Sequence, residues 1–229
     1  MNFLNALAQA LSSAERGIEE LHLPRLVFND FRDTAALRHV FSGLRCLKMQ
    51  LWNVGSLREY RPQSLAWVEL FKCAQQTLQS LEIAGGIFPY LPDEGSHTLI
   101  NMLGTEDTGE PRIFPELRTL RVQTLILNTP LLVRFLNCQP KITNLHFGHT
   151  YLATPGQGWP FLVKSSPQTV QTWTLSRTVG HEPVLGHDPV AYHWFTQWER
   201  ESLRETPVGW KYTLSPGSNN STVIEFGRT

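Results

Sequence analysis

A six-residue pattern with apolar residues at its first, fourth and sixth places recurs along the chain. It reads Ile18-Glu19-Glu20-Leu21-His22-Leu23, then Leu44-Arg45-Cys46-Leu47-Lys48-Met49 and Leu78-Gln79-Ser80-Leu81-Glu82-Ile83. Leu117-Arg118-Thr119-Leu120-Arg121-Val122, Ile142-Thr143-Asn144-Leu145-His146-Phe147 and Val170-Gln171-Thr172-Trp173-Thr174-Leu175 follow. Successive first places are 26, 34, 39, 25 and 28 residues apart. A strand turns its fourth and sixth places to one face and its fifth to the other. The fifth places are His22, Lys48, Glu82, Arg121, His146 and Thr174, all polar. Each hexad therefore predicts a half-buried strand.

Helical periodicity fills the intervals. Leu37, Val40 and Phe41 form a stripe behind the cap candidates Asp33 and Thr34, and Gly43 can end that helix. Trp67, Leu70, Phe71 and Ala74 mark a second helix, starting after Ser64. Leu131, Leu132, Phe135 and Leu136 mark a third, with Thr129 as N-cap and Pro130 at its first position. Thr154-Pro155 opens an irregular turn before Trp159, Phe161, Leu162 and Val163, and Phe3, Leu4, Leu7 and Leu11 predict a helix shielding the first strand.

Strands alternating with helices require parallel strands joined by crossovers. A unit of this size cannot bury its own apolar face, so neighbours stack. The expected fold is an α/β solenoid over residues 1–178, with about six parallel strands on the concave side and helices on the convex side. Residues 179–229 read as a cap on the same domain. Asp188-Pro189 starts a helix whose Ala191, Trp194, Phe195 and Trp198 share one face. Trp210 to Leu214 and Thr222 to Phe226 then alternate as a hairpin around a Ser, Pro, Gly and Asn loop. The longest interval holds an acidic, turn-rich insertion at 91–113.

The hexads match the L-x-x-L-x-L core of the leucine-rich repeat, and the chain resembles that family over residues 1–178. The uneven repeat lengths, and Leu117 to Val122 followed by Asn128-Thr129-Pro130-Leu131-Leu132, resemble the repeat region of fungal F-box proteins. That resemblance implies a substrate-receptor role in ubiquitin ligation. Two departures qualify it. The ninth places, where the family carries Asn or Cys, hold Leu26, Trp52, Gly86, Leu125, Thr150 and Thr178, so no asparagine ladder is expected. No F-box precedes the first hexad, which implies a shortened relative or an incomplete reading frame, and a chain that does not reach the ligase adaptor in the usual way.

Composition narrows the partners. In 229 residues, 20 Lys and Arg balance 20 Asp and Glu, which argues against a phosphate-neutralising, nucleic-acid-binding protein. No stretch approaches the roughly 20 apolar residues of a membrane span. Cys46, Cys73 and Cys138 are odd in number and widely spaced, which suits reduced thiols in the cytoplasm or nucleus rather than disulfides or a structural zinc site. The N-terminus lacks the basic region of a signal peptide, and the sequons at Asn219 and Asn220 matter only in a secreted protein.

Neither a nucleophile elbow nor a phosphate loop occurs. Gly85-Gly86 reads as the turn after the third strand, and His181, His187 and His193 are six apart, which fits no helical metal site. No catalytic residue, cofactor or metal is expected. The expected function is a non-enzymatic module that holds another protein on its concave face, through His22, Arg45, Lys48, Glu82, Arg118, Arg121, His146 and Thr174. The alternatives are an enzyme with a pocket beside the insertion, built from two or more of His97, Glu106, Arg121 and His146, a solenoid that self-associates through the strand edge near Ile18, and a truncated product.

Overall fold

A computed structural model describes residues 9–10, 17–26, 35–51, 61–85, 111–148, 150–152, 158–176, 210–216 and 222–228. In chain order these form β1 (Glu20–Leu26), α1 (Ala35–Ser42), β2 (Cys46–Leu51), α2 (Arg61–Ala74), β3 (Ser80–Ala84), β4 (Thr119–Gln123), β5 (Ile126–Leu127), α3 (Thr129–Asn137), β6 (Asn144–Gly148), β7 (Tyr151–Leu152), α4 (Trp159–Lys164), β8 (Thr172–Ser176), β9 (Trp210–Pro216) and β10 (Thr222–Arg228). Most of the helix expected at residues 3–11, the bulk of the insertion and the helix expected after Pro189 lie outside the described residues, as do Asp33, Thr34, His97, Glu106, His181, His187 and His193.

The fold is α/β, with an open sheet of eight strands in the order β1-β2-β3-β4-β6-β8-β10-β9. The first six are parallel and are the six hexads, each strand starting at the third place of its hexad. Their fourth places run in one register, Leu21, Leu47, Leu81, Leu120, Leu145 and Trp173. The sheet is wider than the six predicted strands because β9 and β10 join it antiparallel, β10 on β8 and β9 on β10. The hairpin thus extends the sheet past β8, and β9 becomes its outer edge. A small parallel pair, β5 with β7, stands apart from the main sheet.

What holds the register recurs at the start of every parallel strand. The carbonyl of the second hexad place accepts N–H groups from the second and third places of the next hexad. Glu19 receives Arg45 and Cys46, Arg45 receives Gln79 and Ser80, and Gln79 receives Arg118 and Thr119. Arg118 receives Thr143 and Asn144, and Thr143 receives Gln171 and Thr172, all at 2.8–3.1 Å. From the second copy onward the first, fourth and sixth places are buried and form one core with the buried faces of the four described helices. In the first copy Ile18 and Leu21 are only partly buried. β1 slips register between Leu23 and Leu26, around Pro24, which has no N–H to offer and suits an edge strand.

Helix content is modest, with helices of 8, 14, 9 and 6 residues. Two helix starts differ from the sequence reading. α2 begins at Arg61, ahead of Ser64, with Pro62 in its first turn, where its missing N–H forfeits no intrahelical bond. The cap of α3 is Asn128 rather than Thr129, because the Asn128 side chain reaches the Leu131 N–H at 3.1 Å, which places Thr129 in the helix.

Gly85 directly follows β3, Gly86 lies outside the described residues, and the close approach of a neighbouring loop requires glycine at 85. A Cβ there would lie 2.1 Å from the Thr124 carbonyl oxygen and 2.8 Å from Leu125 Cδ2. Thr124 has φ 54°, an unfavoured conformation for a β-branched residue, and its N–H donates to the Gly148 carbonyl at 2.9 Å.

Candidate functional site

The sheet face opposite the helices carries the polar places. Its central row is His22, Lys48, Glu82, Arg121, His146 and Thr174, one residue from each parallel strand, and continues through Glu225 and Thr213. A parallel row of third places reads Glu20, Cys46, Ser80, Thr119, Asn144 and Thr172. Strand spacing of about 4.8 Å brings each side chain within reach of its neighbour.

Glu82 is the pivot of the central row. Its carboxylate meets Lys48 Nζ at 3.1 Å through one oxygen and an Arg121 guanidinium nitrogen at 3.7 Å through the other. The Glu82 side chain is 17% exposed, against 46% for Lys48 and 43% for Arg121. The two cations therefore shield the anion and stay accessible themselves. Nearer β8 the face is held by neutral groups, with the Thr172 hydroxyl donating to Asn144 Oδ1 at 2.7 Å and Asn144 Nδ2 donating to Thr143 Oγ1 at 3.0 Å.

His146 lies beside Arg121 on one side and Thr174 on the other. Partial burial holds its pKa below the ordinary 6.5, the Arg121 charge adds to this, and Glu225 and Glu82 oppose it. The folded state thus disfavours the imidazolium, and the unfolded chain binds the proton more readily. The resulting stability is fully present above about pH 6.5 and is lost as pH falls through the folded value. A His146→Gln variant is expected to lose less thermal stability than the parent between pH 7.5 and 5.5, as followed by circular dichroism melts. Glu116 titrates in a separate window. A hydrogen bond from Lys141 at 2.6 Å lowers its pKa from 4.5, so its contribution is lost only at more acid pH.

Of the eight residues expected to bind a partner, six form the central row. Arg45 and Arg118 sit elsewhere, immediately before β2 and β4, at the end where the strands begin. Arg45 pairs there with Glu19 at 3.6 Å, and the Arg118 charge helps lower the Glu116 pKa. Arg121 and His146 are brought together, but His97 and Glu106, named with them for an enzyme pocket, lie outside the described residues.

Two buried polar residues have roles that the sequence reading did not assign. Thr150, at a ninth place, is buried, and its hydroxyl lies 3.0 Å from the Gly148 carbonyl and 3.3 Å from that of Val122. Gln139 is 1% exposed and ties the last residues of the insertion and Phe114 to α3. Its Oε1 accepts the Phe114 N–H at 2.8 Å, and its Nε2 donates to the Arg112 and Phe135 carbonyls at 2.9 and 3.0 Å.

Among the described residues no group of three or more His, Cys, Asp or Glu gathers as a metal site, and the three cysteines are free thiols of intermediate exposure. No described helix is long and apolar enough to cross a membrane. Compared with family models and with curated proteins, the chain matches none of them.

Proposed function

We propose that the chain is a non-enzymatic protein-binding module of the cytoplasm or nucleus. It is an irregular leucine-rich-repeat solenoid whose polar face is the concave, partner-holding side. The observation that carries this reading is the unbroken register of six polar fifth places across six parallel strands, on the face turned away from the helices. That row spans about 24 Å at ordinary strand spacing, the scale of a protein-protein contact. The kinship with fungal F-box receptors, and through it a part in selecting ubiquitination substrates, belongs to the same proposal and rests on the hexads and their uneven spacing.

Affinity purification of the tagged chain from its native cells tests the reading. The comparison sample carries Lys48→Glu and Arg121→Glu, with melting curves confirming that both forms are folded. The expected result is a specific protein that the reversals reduce at least tenfold. Recovery of the same proteins at equal yield from both samples, or of none, would overturn it. A cullin-ligase adaptor among the recovered proteins would support the receptor role.

A further inference from the structure

We infer that the surface around Arg121 and His146 receives an acidic segment of a partner protein, one carboxylate docking on the Arg121 guanidinium beside the His146 ring. The inference rests on the reading of this face as a docking surface and adds the chemistry of the occupant. Its basis is a local imbalance of charge. Lys48 and Arg121 share a single carboxylate, and the sharing is unequal, at 3.1 Å for Lys48 and 3.7 Å for Arg121. The two cations outnumber the one carboxylate, and Arg121, the more distant of the pair, has 43% of its side chain exposed.

Among the described residues the other carboxylates of the face lie farther from Arg121, although Glu225 acts on His146. Glu225 follows Arg121 three strands later along the row, about 14 Å away at strand spacing and beyond the roughly 8 Å screening length of physiological salt. Glu20 is three strands away on the other side, beyond Lys48. Within the described row, His146 and Thr174 stand between Arg121 and Glu225. A guanidinium presents parallel N–H donors that match a carboxylate, and even a neutral imidazole adds one N–H donor next to it. A lysine or arginine of a partner would instead meet Arg121 as a like charge, with Glu82 already shielded by its two cations.

Fluorescence anisotropy with labelled deca-glutamate, deca-lysine and a neutral Gly-Ser decapeptide tests this on the full chain, with Arg121→Gln and Glu82→Gln variants shown by melting to be folded. Deca-glutamate is expected to bind more tightly than the neutral peptide. Arg121→Gln should weaken it roughly tenfold, as the loss of one charge-assisted contact implies, and Glu82→Gln should tighten it roughly threefold. Preference for deca-lysine, or a deca-glutamate affinity that neither variant alters, would overturn the inference. The same two variants applied to the captured partner separate the two levels of the argument. Loss of the partner on Glu82→Gln with retention on Arg121→Gln would sink the acidic occupant and leave the docking face standing. Unchanged capture by both variants would sink both.

Discussion

Truncation of Trp173 to alanine is expected to lower the unfolding free energy by roughly 3–5 kcal/mol, the usual cost of removing a fully buried indole. The residue has no solvent exposure and holds the fourth place of the sixth hexad, where the other five copies carry leucine. It stacks on Phe147 with ring centroids 5.5 Å apart and planes 24° apart, and Phe147 in turn meets Trp159 at 5.3 Å. Its strand neighbours are Leu145 on the parallel side and Phe226 on the antiparallel side, so it packs where the repeat array joins the terminal hairpin. The effect should appear as a reduced urea midpoint by circular dichroism. Trp173→Leu is expected to cost less. It fills part of the space and removes an indole N–H that has no hydrogen-bond partner, itself a buried donor worth about 1–3 kcal/mol in lost solvation. A leucine variant no more stable than the alanine variant would show that the aromatic stack, rather than volume, holds this junction.

Gln139→Leu should destabilise the chain by about 2–5 kcal/mol, since it leaves one N–H and two carbonyls of the main chain without their side-chain partner in a buried place. Gln139→Glu keeps the shape and the acceptor for Phe114 but replaces the donor facing Arg112 and Phe135 with a second acceptor. At pH 7 it is expected to be at least as damaging as leucine. Burial and the facing carbonyls raise the folded pKa of the introduced carboxyl above its unfolded value of about 4.3. Its destabilisation is therefore largest above the folded pKa and should shrink as pH falls through it, because a protonated carboxyl regains one donor. Urea midpoints of the two variants between pH 7 and 5 measure this. Parallel curves would show that the donor to the two carbonyls contributes little.

The strands were legible in the sequence because one local rule, apolar fourth and sixth places around a polar fifth, holds in all six copies and also sets the register. The central row follows from the same rule, which is why six of the eight expected binding residues align. Arg45 and Arg118 do not, because the second place lies before the strand, where alternation no longer assigns a face. Gln139 was not legible at all. Its partners Arg112 and Phe114 are 27 and 25 residues away, and its role exists only after the core has brought them together. Asn128 is the better capper of two adjacent candidates, and its extended backbone sets the helix start there.

The shared carbonyl at the start of each strand has a consequence for how such a chain can change. Because neighbouring strands are aligned by bonds at their first residues, the alignment makes no reference to how many residues separate them, and intervals from 25 to 39 residues lead to the same in-phase pairing. Doubling a flexible connection adds only about 0.6 kcal/mol of closure entropy. Connections can thus be lengthened, shortened or exchanged while the polar row keeps its pitch. The chain is accordingly a ruler with fixed graduations and replaceable spacers, and foreign segments grafted between hexads would inherit that scale.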